Sequence, residues 1–245
     1  MPDLSRRRFL ATSALVGSTL TFSRWSSALE YPGGHGVPWQ AGAADVPRPD
    51  VEGGFFSAGE RAAVEAITAR LIPSDDSGPG ARDAHVTTFI DRQLAGFYGR
   101  GQRWYMEGPF PEPEDTQGYQ GPYPPAALWR EGLAALESYC RTTFDERSFA
   151  ELDETAQDAV LARLADGEIS FTTVDAKQFF GFAREMTIEG FFSDPIYGGN
   201  RDMVGWRLVG FPGARYDYRD FIHHNGAPLD IASVGLMGRP EWTSQ

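Results

Sequence analysis

Apolar side chains recur at every third or fourth residue over most of the chain, a spacing that places them along one side of an α-helix. Two of these runs begin with a capping box, in which a serine is followed three residues later by a glutamate. The boxes are Ser57 with Glu60 and Ser148 with Glu151. Nowhere do valine, isoleucine and threonine alternate over the length of a strand. The sequence therefore predicts an all-α fold, a single irregular domain of five or six helices with long loops.

The ends of the predicted helices follow from prolines, glycines and cap residues. The first helix ends before Pro73, and the second is capped by Asp83 and has an apolar side that reaches Phe97. The third begins near Pro125, where the missing backbone N–H costs nothing. The fourth follows the second capping box, and the fifth covers 174–189, where the helical spacing stops.

The charge and cysteine content exclude several classes of function. The chain has 34 acidic and 22 basic residues, a formal net charge of −12, so it lacks the concentrated cationic surface that nucleic acids need. Its single cysteine, Cys140, is too few for an internal disulfide, a zinc site built from thiolates or a cysteine-bound iron–sulfur cluster. We interpret Cys140 as a buried helical residue, and we expect no cofactor or metal in this chain.

Residues 1–28 have the composition and order of a twin-arginine (Tat) export signal. An arginine pair precedes an uncharged, small and apolar stretch over 11–22, and small residues follow up to Ala28. That stretch would reach about 18 Å as a helix, which is short of a hydrocarbon layer of about 30 Å. The residues that carry the signal are Arg6, Arg7, Phe9 and Leu10. We therefore expect export through the Tat translocase, and a protein in the periplasm or peripheral to the outer face of the cytoplasmic membrane.

The remainder of the chain divides into three segments. Residues 29–54 contain four prolines and repeated glycine without an apolar period, which predicts an extended arm. Residues 55–213 form the predicted helical domain. Residues 214–245 form a C-terminal tail to which the sequence assigns no role.

Within the helical domain, the stretch that follows the fifth helix is both irregular and aromatic. Glycine, proline and asparagine interrupt the helical spacing after Ile188, and apolar side chains continue to Phe211. An irregular segment with this much apolar surface must bury it against something. Its charged residues alternate in sign, which suits either pairing within the chain or a clamp on a partner. As a hypothesis, the partner interface contains Phe191, Phe192, Tyr197, Arg201, Trp206 and Phe211.

The same stretch carries a resemblance to a known family. The run TIEGFFSDPIYGGNRDMVGW at 187–206, together with LIPSDDSGPGARDA at 71–84, FIDRQLAG at 89–96 and the export signal, resembles the gluconate 2-dehydrogenase subunit 3 family. The similarity covers about 55–213. The resemblance implies the small subunit of a flavin-dependent dehydrogenase complex that oxidises sugars, sugar acids or related compounds.

The resemblance also implies a role for each subunit of the complex. A large flavin-dependent (GMC-type) subunit holds FAD and the catalytic histidine, and a multihaem cytochrome c often accepts the electrons. The small subunit is non-catalytic, acts as a chaperone for the large one and carries the export signal for the folded assembly. No catalytic residue is therefore carried over to this chain.

Two other functions stay open from the residues alone. One is a free-standing exported metal-binding protein or enzyme that uses His223 and His224, although adjacent histidines point apart on a helix or strand. The other is a structural adaptor that links a dehydrogenase to a cytochrome or to the membrane without any part in export.

Overall fold

A computed structural model describes residues 54–111, 114, 116–215, 218–228 and 231–236. The export signal and nearly all of the predicted arm lie outside the described residues. The chain divides into two compact units, and the described residues of the larger unit are those up to Arg215 together with 231–236. Residues 218–228 belong to the smaller unit, which contains a short 3₁₀ turn at Arg219–Phe221.

The described residues form six α-helices and no β-strand, which confirms the all-α prediction. Helix α5 packs against each of the other five and is the centre of the larger unit. The helices are α1 (Ala58–Leu71), α2 (Val86–Ala95), α3 (Pro125–Thr143), α4 (Glu154–Ala165), α5 (Ala176–Phe192) and α6 (Val204–Val209).

The core is built around an indole. Trp129 of α3 is fully buried and donates its Nε1–H to the Met186 sulfur of α5 at 3.2 Å. Edge-on ring contacts join it to Phe179 at 5.7 Å and to Phe56 at 5.8 Å between centroids. Cys140 is also fully buried, as predicted, and burial raises the pKa of its thiol to about 12. The thiol therefore stays protonated and acts as a packing group.

The predicted start and end of α2 are wrong. Asp83 does not cap this helix, because its carboxylate accepts hydrogen bonds from the Ser74 hydroxyl at 2.5 Å and the Gly80 backbone N–H at 3.1 Å. The cap position is His85, whose backbone is left-handed with φ of 56°. Phe97 lies beyond the end of the helix and is half exposed.

The predicted start of α4 is also wrong. The second capping box is present, but it closes a 3₁₀ turn at Phe149–Glu151, and Asp153 caps α4 by accepting from the Ala156 N–H at 2.9 Å. The buried Gln157 side chain donates to the carbonyl oxygens of Phe149 and Leu152, at 3.1 and 3.0 Å. These bonds give the carbonyl oxygens of the short turn their partners. The turn therefore ends before α4 begins.

Helix α5 extends three residues further than the spacing predicts and contains Gly190. A Cβ atom at this position would lie 2.9 Å from Cδ1 of Phe89 and 3.1 Å from Cγ1 of Val86. The glycine therefore permits α2 to pack closely on α5, and this packing outweighs the weak helix propensity of glycine.

A partly buried ion pair fixes the entry of the chain into α1. Asp91 of α2 is 6% exposed and accepts from the Phe56 backbone N–H at 2.8 Å and from the Arg61 guanidinium at 2.7 Å. One carboxylate thus holds both Phe56, two residues before α1, and Arg61 in the first turns of α1 against α2.

We expect Asp91→Ala to lower the free energy of unfolding by about 2–4 kcal/mol, because it leaves the Phe56 N–H without an acceptor and breaks a partly buried ion pair. Urea denaturation followed by circular dichroism measures the change. The matched control is Asp158→Ala, which removes an exposed pair with Arg70 and should cost about 1 kcal/mol or less. Equal losses in the two variants would contradict this account of the chain entry.

Candidate partner-binding surface

The irregular segment after α5 lies tightly against the end of that helix. A Cβ atom at Gly199 would overlap the carbonyl oxygen of Gly190, and one at Gly205 would overlap that of Phe191. Both contacts join backbone to backbone, which leaves no room for a larger residue at either glycine. The segment is therefore an integral part of the domain.

Asn200 holds the two sides of this segment together. Its side chain is fully buried, donates from Nδ2 to the Ser193 carbonyl and accepts at Oδ1 from the Gly205 N–H, each at 2.8 Å. The Asn200 backbone is left-handed, with φ of 46°, a conformation that asparagine tolerates better than most residues. Sequence reasoning indicates only a turn here and misses this bond pair.

Asp194 connects the segment to part of the C-terminal tail. Its Oδ1 accepts from the Ile196 N–H at 3.0 Å, which caps the 3₁₀ turn at Pro195–Tyr197, and its Oδ2 accepts from the Leu236 N–H at 2.6 Å. Val234 is buried and accepts from the Ala214 N–H at 2.7 Å. Residues 231–236 therefore have a structural role, which the sequence does not predict.

The surface beside this segment contains two apolar regions. The first, which we call the α2–α5 groove, is an open cavity of about 510 Å³ lined by both helices and by the Pro195–Tyr197 turn. Its lining includes Phe89, Tyr98, Ile188, Glu189, Phe192 and Tyr197. The second, which we call the α6 tip, consists of the exposed side chains Leu208, Val209 and Phe211.

Glu189 gives the α2–α5 groove a negative edge, and Glu185 lies one helical turn earlier on α5, outside the lining. Partial burial raises the pKa of Glu189, and the neighbouring Glu185 carboxylate raises it further. Burial raises the pKa of Tyr98 as well, with smaller contributions from Glu189 and Glu185. Within the described part of the chain, neither glutamate has a hydrogen bond or an ion pair with a basic side chain.

The structure places two of the predicted interface residues in the interior. Phe191 is 0% exposed and Trp206 is 6% exposed, so neither ring is available on the surface, and the hypothesis is corrected for these two. Trp206 donates its Nε1–H to the Phe192 carbonyl at 2.7 Å and packs edge-on against Phe211 at 5.2 Å. The two buried rings therefore pack against exposed aromatic rings beside them.

The other predicted interface residues are on the surface but do not form one cluster. Phe192 and Tyr197 line the α2–α5 groove, and Phe211 lies at the α6 tip, with exposures of 38%, 43% and 46%. The exposed Arg201 has contacts within the chain, with its Nη1 3.2 Å from Nε2 of His85 and its N–H bonded to the Ala84 carbonyl.

Sequence reasoning misses further surface residues. Ile188 is 47% exposed because it is out of phase with the buried positions of α5, and this phase is a signal that could have identified it. Leu208 and Val209 are exposed in a six-residue helix, which is too short for a period to be read.

The described residues give little support to the other candidate sites. His223 and His224 are exposed in the smaller unit, where the His224 ring packs against Phe221 at 5.9 Å. Among the residues that the structure describes, no three His, Cys, Asp or Glu side chains gather as a metal site would require. No helix in that part of the chain has the length and apolarity to cross a bilayer.

The sequence model of one family, described as gluconate 2-dehydrogenase subunit 3, matches residues 58–213. The match begins at the first residue of α1, includes all six helices and ends at Gly213, beside Val234. No curated protein and no solved structure shows significant similarity to the chain.

We expect Asn200→Ala to lower the free energy of unfolding by about 3 kcal/mol, since it removes two buried hydrogen bonds and places alanine in a left-handed conformation. Chemical denaturation measures the loss, and limited proteolysis should show new cleavage within 193–205. The matched control is Asp202→Ala, because Asp202 is also left-handed, with φ of 54°, but is exposed. Its cost should be about 1 kcal/mol. A similar cost for both variants would mean that the side-chain bonds do not hold the segment.

Proposed function

The chain belongs to the gluconate 2-dehydrogenase subunit 3 family, and on that premise we propose that it is the non-catalytic small subunit of an exported flavin-dependent dehydrogenase complex. In this proposal it binds the catalytic subunit, assists its maturation and carries it across the membrane by the twin-arginine route. The substrate is oxidised by the partner, on FAD that the partner holds.

The observation that carries the proposal is the set of apolar side chains left exposed beside the irregular segment. They are Ile188, Phe192, Tyr197, Leu208, Val209 and Phe211. Exposed apolar patches on a soluble protein commonly mark the site of a partner. These side chains are 38–60% exposed, so covering each one contributes about half of the ~1.5–3 kcal/mol gained by full burial, before the cost of association is subtracted.

The rigidity of the segment favours binding. The backbone contacts of Gly199 and Gly205 and the buried bonds of Asn200 fix the chain before any partner arrives. A surface that is already ordered loses less conformational entropy on binding. This supports a stable subunit interface more than a transient contact.

The catalytic partner in this proposal is a GMC-type flavin-dependent dehydrogenase subunit. A multihaem cytochrome c is a further component that would accept electrons from the flavin. The small subunit acts on the partner as a chaperone, because an apolar face that covers the partner's own exposed surface protects it from aggregation until the flavin is bound. No residue of this chain takes part in the oxidation.

Export is the second part of the proposal. The Tat route carries folded cargo, so a complex that forms in the cytoplasm can cross on the signal of one subunit. The signal in 1–28 would then serve both chains and place the complex in the periplasm or on the outer face of the cytoplasmic membrane. A structural adaptor would use the same exposed rings, but its partner would reach the periplasm independently.

We expect the double variant Arg6→Lys with Arg7→Lys to keep both this chain and the catalytic subunit in the cytoplasm, because the partner depends on this signal. Cell fractionation with immunoblotting and a periplasmic dehydrogenase assay measure the outcome. Arg24→Lys is the matched control, since Arg24 lies in the same segment but outside the motif, and it should leave export intact. A catalytic subunit that reaches the periplasm normally in the double variant would reject the carrier role and favour the adaptor.

A further inference from the structure

The α2–α5 groove combines an apolar lining with the Glu189 carboxylate. Phe89, Phe192 and Tyr197 supply rings, and Ile188 supplies an aliphatic side chain. Glu185 and Glu189 lie one helical turn apart on α5, where like charges repel each other. Glu189 keeps this position although partial burial already disfavours its charge. The repulsion between the two carboxylates destabilises the free chain. A nearby cation would reduce this repulsion.

The groove has the features of a site for a protein segment. It is open to solvent, whereas small-molecule sites enclose most of the ligand and aim several polar groups at it. The Ser193 and Asp194 side chains near Glu189 already make hydrogen bonds within the chain. The Ser193 hydroxyl donates to the Gly190 carbonyl at 3.2 Å, and both Asp194 oxygens accept backbone N–H groups. The other polar groups in the lining, Gln93 and Tyr98, are uncharged, so Glu189 supplies the charge beside an otherwise largely apolar surface.

We propose that the α2–α5 groove binds an apolar segment of the catalytic subunit that carries an arginine. This inference rests on the proposed function and specifies where and how that partner is held. A guanidinium pairs with a carboxylate through two parallel hydrogen bonds and also stacks on aromatic faces. Glu189 in the lining provides the carboxylate, with Glu185 one helical turn away on α5, and the exposed rings of Phe192 and Tyr197 provide the faces. Arginine and aromatic side chains are the residues that most often dominate interface affinity.

Site-specific crosslinking identifies the occupant directly. Tyr197 is replaced by the photoreactive p-benzoylphenylalanine in cells that co-express this chain with the large dehydrogenase subunit encoded by the same genome. We expect a crosslinked peptide from the catalytic subunit that contains an arginine next to apolar residues. A peptide without arginine, a crosslink to a second copy of this chain, or no crosslink in an intact complex would overturn the proposal.

A charge-removing variant tests the recognition chemistry. We expect Glu185→Gln combined with Glu189→Gln to weaken binding of the catalytic subunit by about tenfold or more, with the largest loss at low ionic strength. Biolayer interferometry on the purified subunits measures the affinity. The thermal midpoint of the free variant should not fall, because the substitutions remove a repulsion, and this separates lost recognition from lost folding.

The matched control is Glu131→Gln, which removes an exposed carboxylate on α3 and should leave the affinity unchanged. If the double variant binds as tightly as this control, the groove assignment fails while the proposed function stands. If the unmodified chain does not bind the catalytic subunit at all, the proposed function fails and the groove assignment fails with it.

Discussion

The contact between the irregular segment and the end of α5 is the constraint on which the candidate surface depends. Gly199 and Gly205 allow the backbone to meet the carbonyl oxygens of Gly190 and Phe191, and Asn200 holds the two sides together with two buried hydrogen bonds. These contacts fix the backbone between Ser193 and Gly205, a stretch that contains Tyr197 of the candidate surface. The chain between α5 and α6 contains only two short 3₁₀ turns, and these buried hydrogen bonds hold it in place.

The aromatic residues at the end of α5 and in the segment that follows it fall into two groups. Phe191 and Trp206 are buried and hold the backbone, whereas Phe192, Tyr197 and Phe211 remain exposed next to them. The buried members stabilise the free subunit, and in our proposal the exposed members contact the partner. Family membership and this division together support an accessory subunit whose binding face is ordered before the complex forms.

Sequence patterns predict the parts of the fold that local rules govern. The start of α1 and the buried stripes of α3 and α5 follow from capping and spacing, because these helices bury one regular side. The starts of α2 and α4 do not, since Asp83 bonds to Ser74 and Gly80, and Gln157 closes a separate turn at Phe149–Glu151. In the site, composition indicates apolar surface but not which rings are exposed. A segment without a periodic pattern does not show which of its side chains face the interior and which face solvent.

Hydrogen–deuterium exchange on the chain, alone and bound to the catalytic subunit, tests the central claim most directly. The account predicts slower exchange in the complex at the backbone amides of 193–199 and 206–211, with no change in α4 (Glu154–Ala165), which lines neither the α2–α5 groove nor the α6 tip. Unchanged exchange in both of those stretches, with protection appearing in α4 instead, would contradict the assignment of this surface to the partner.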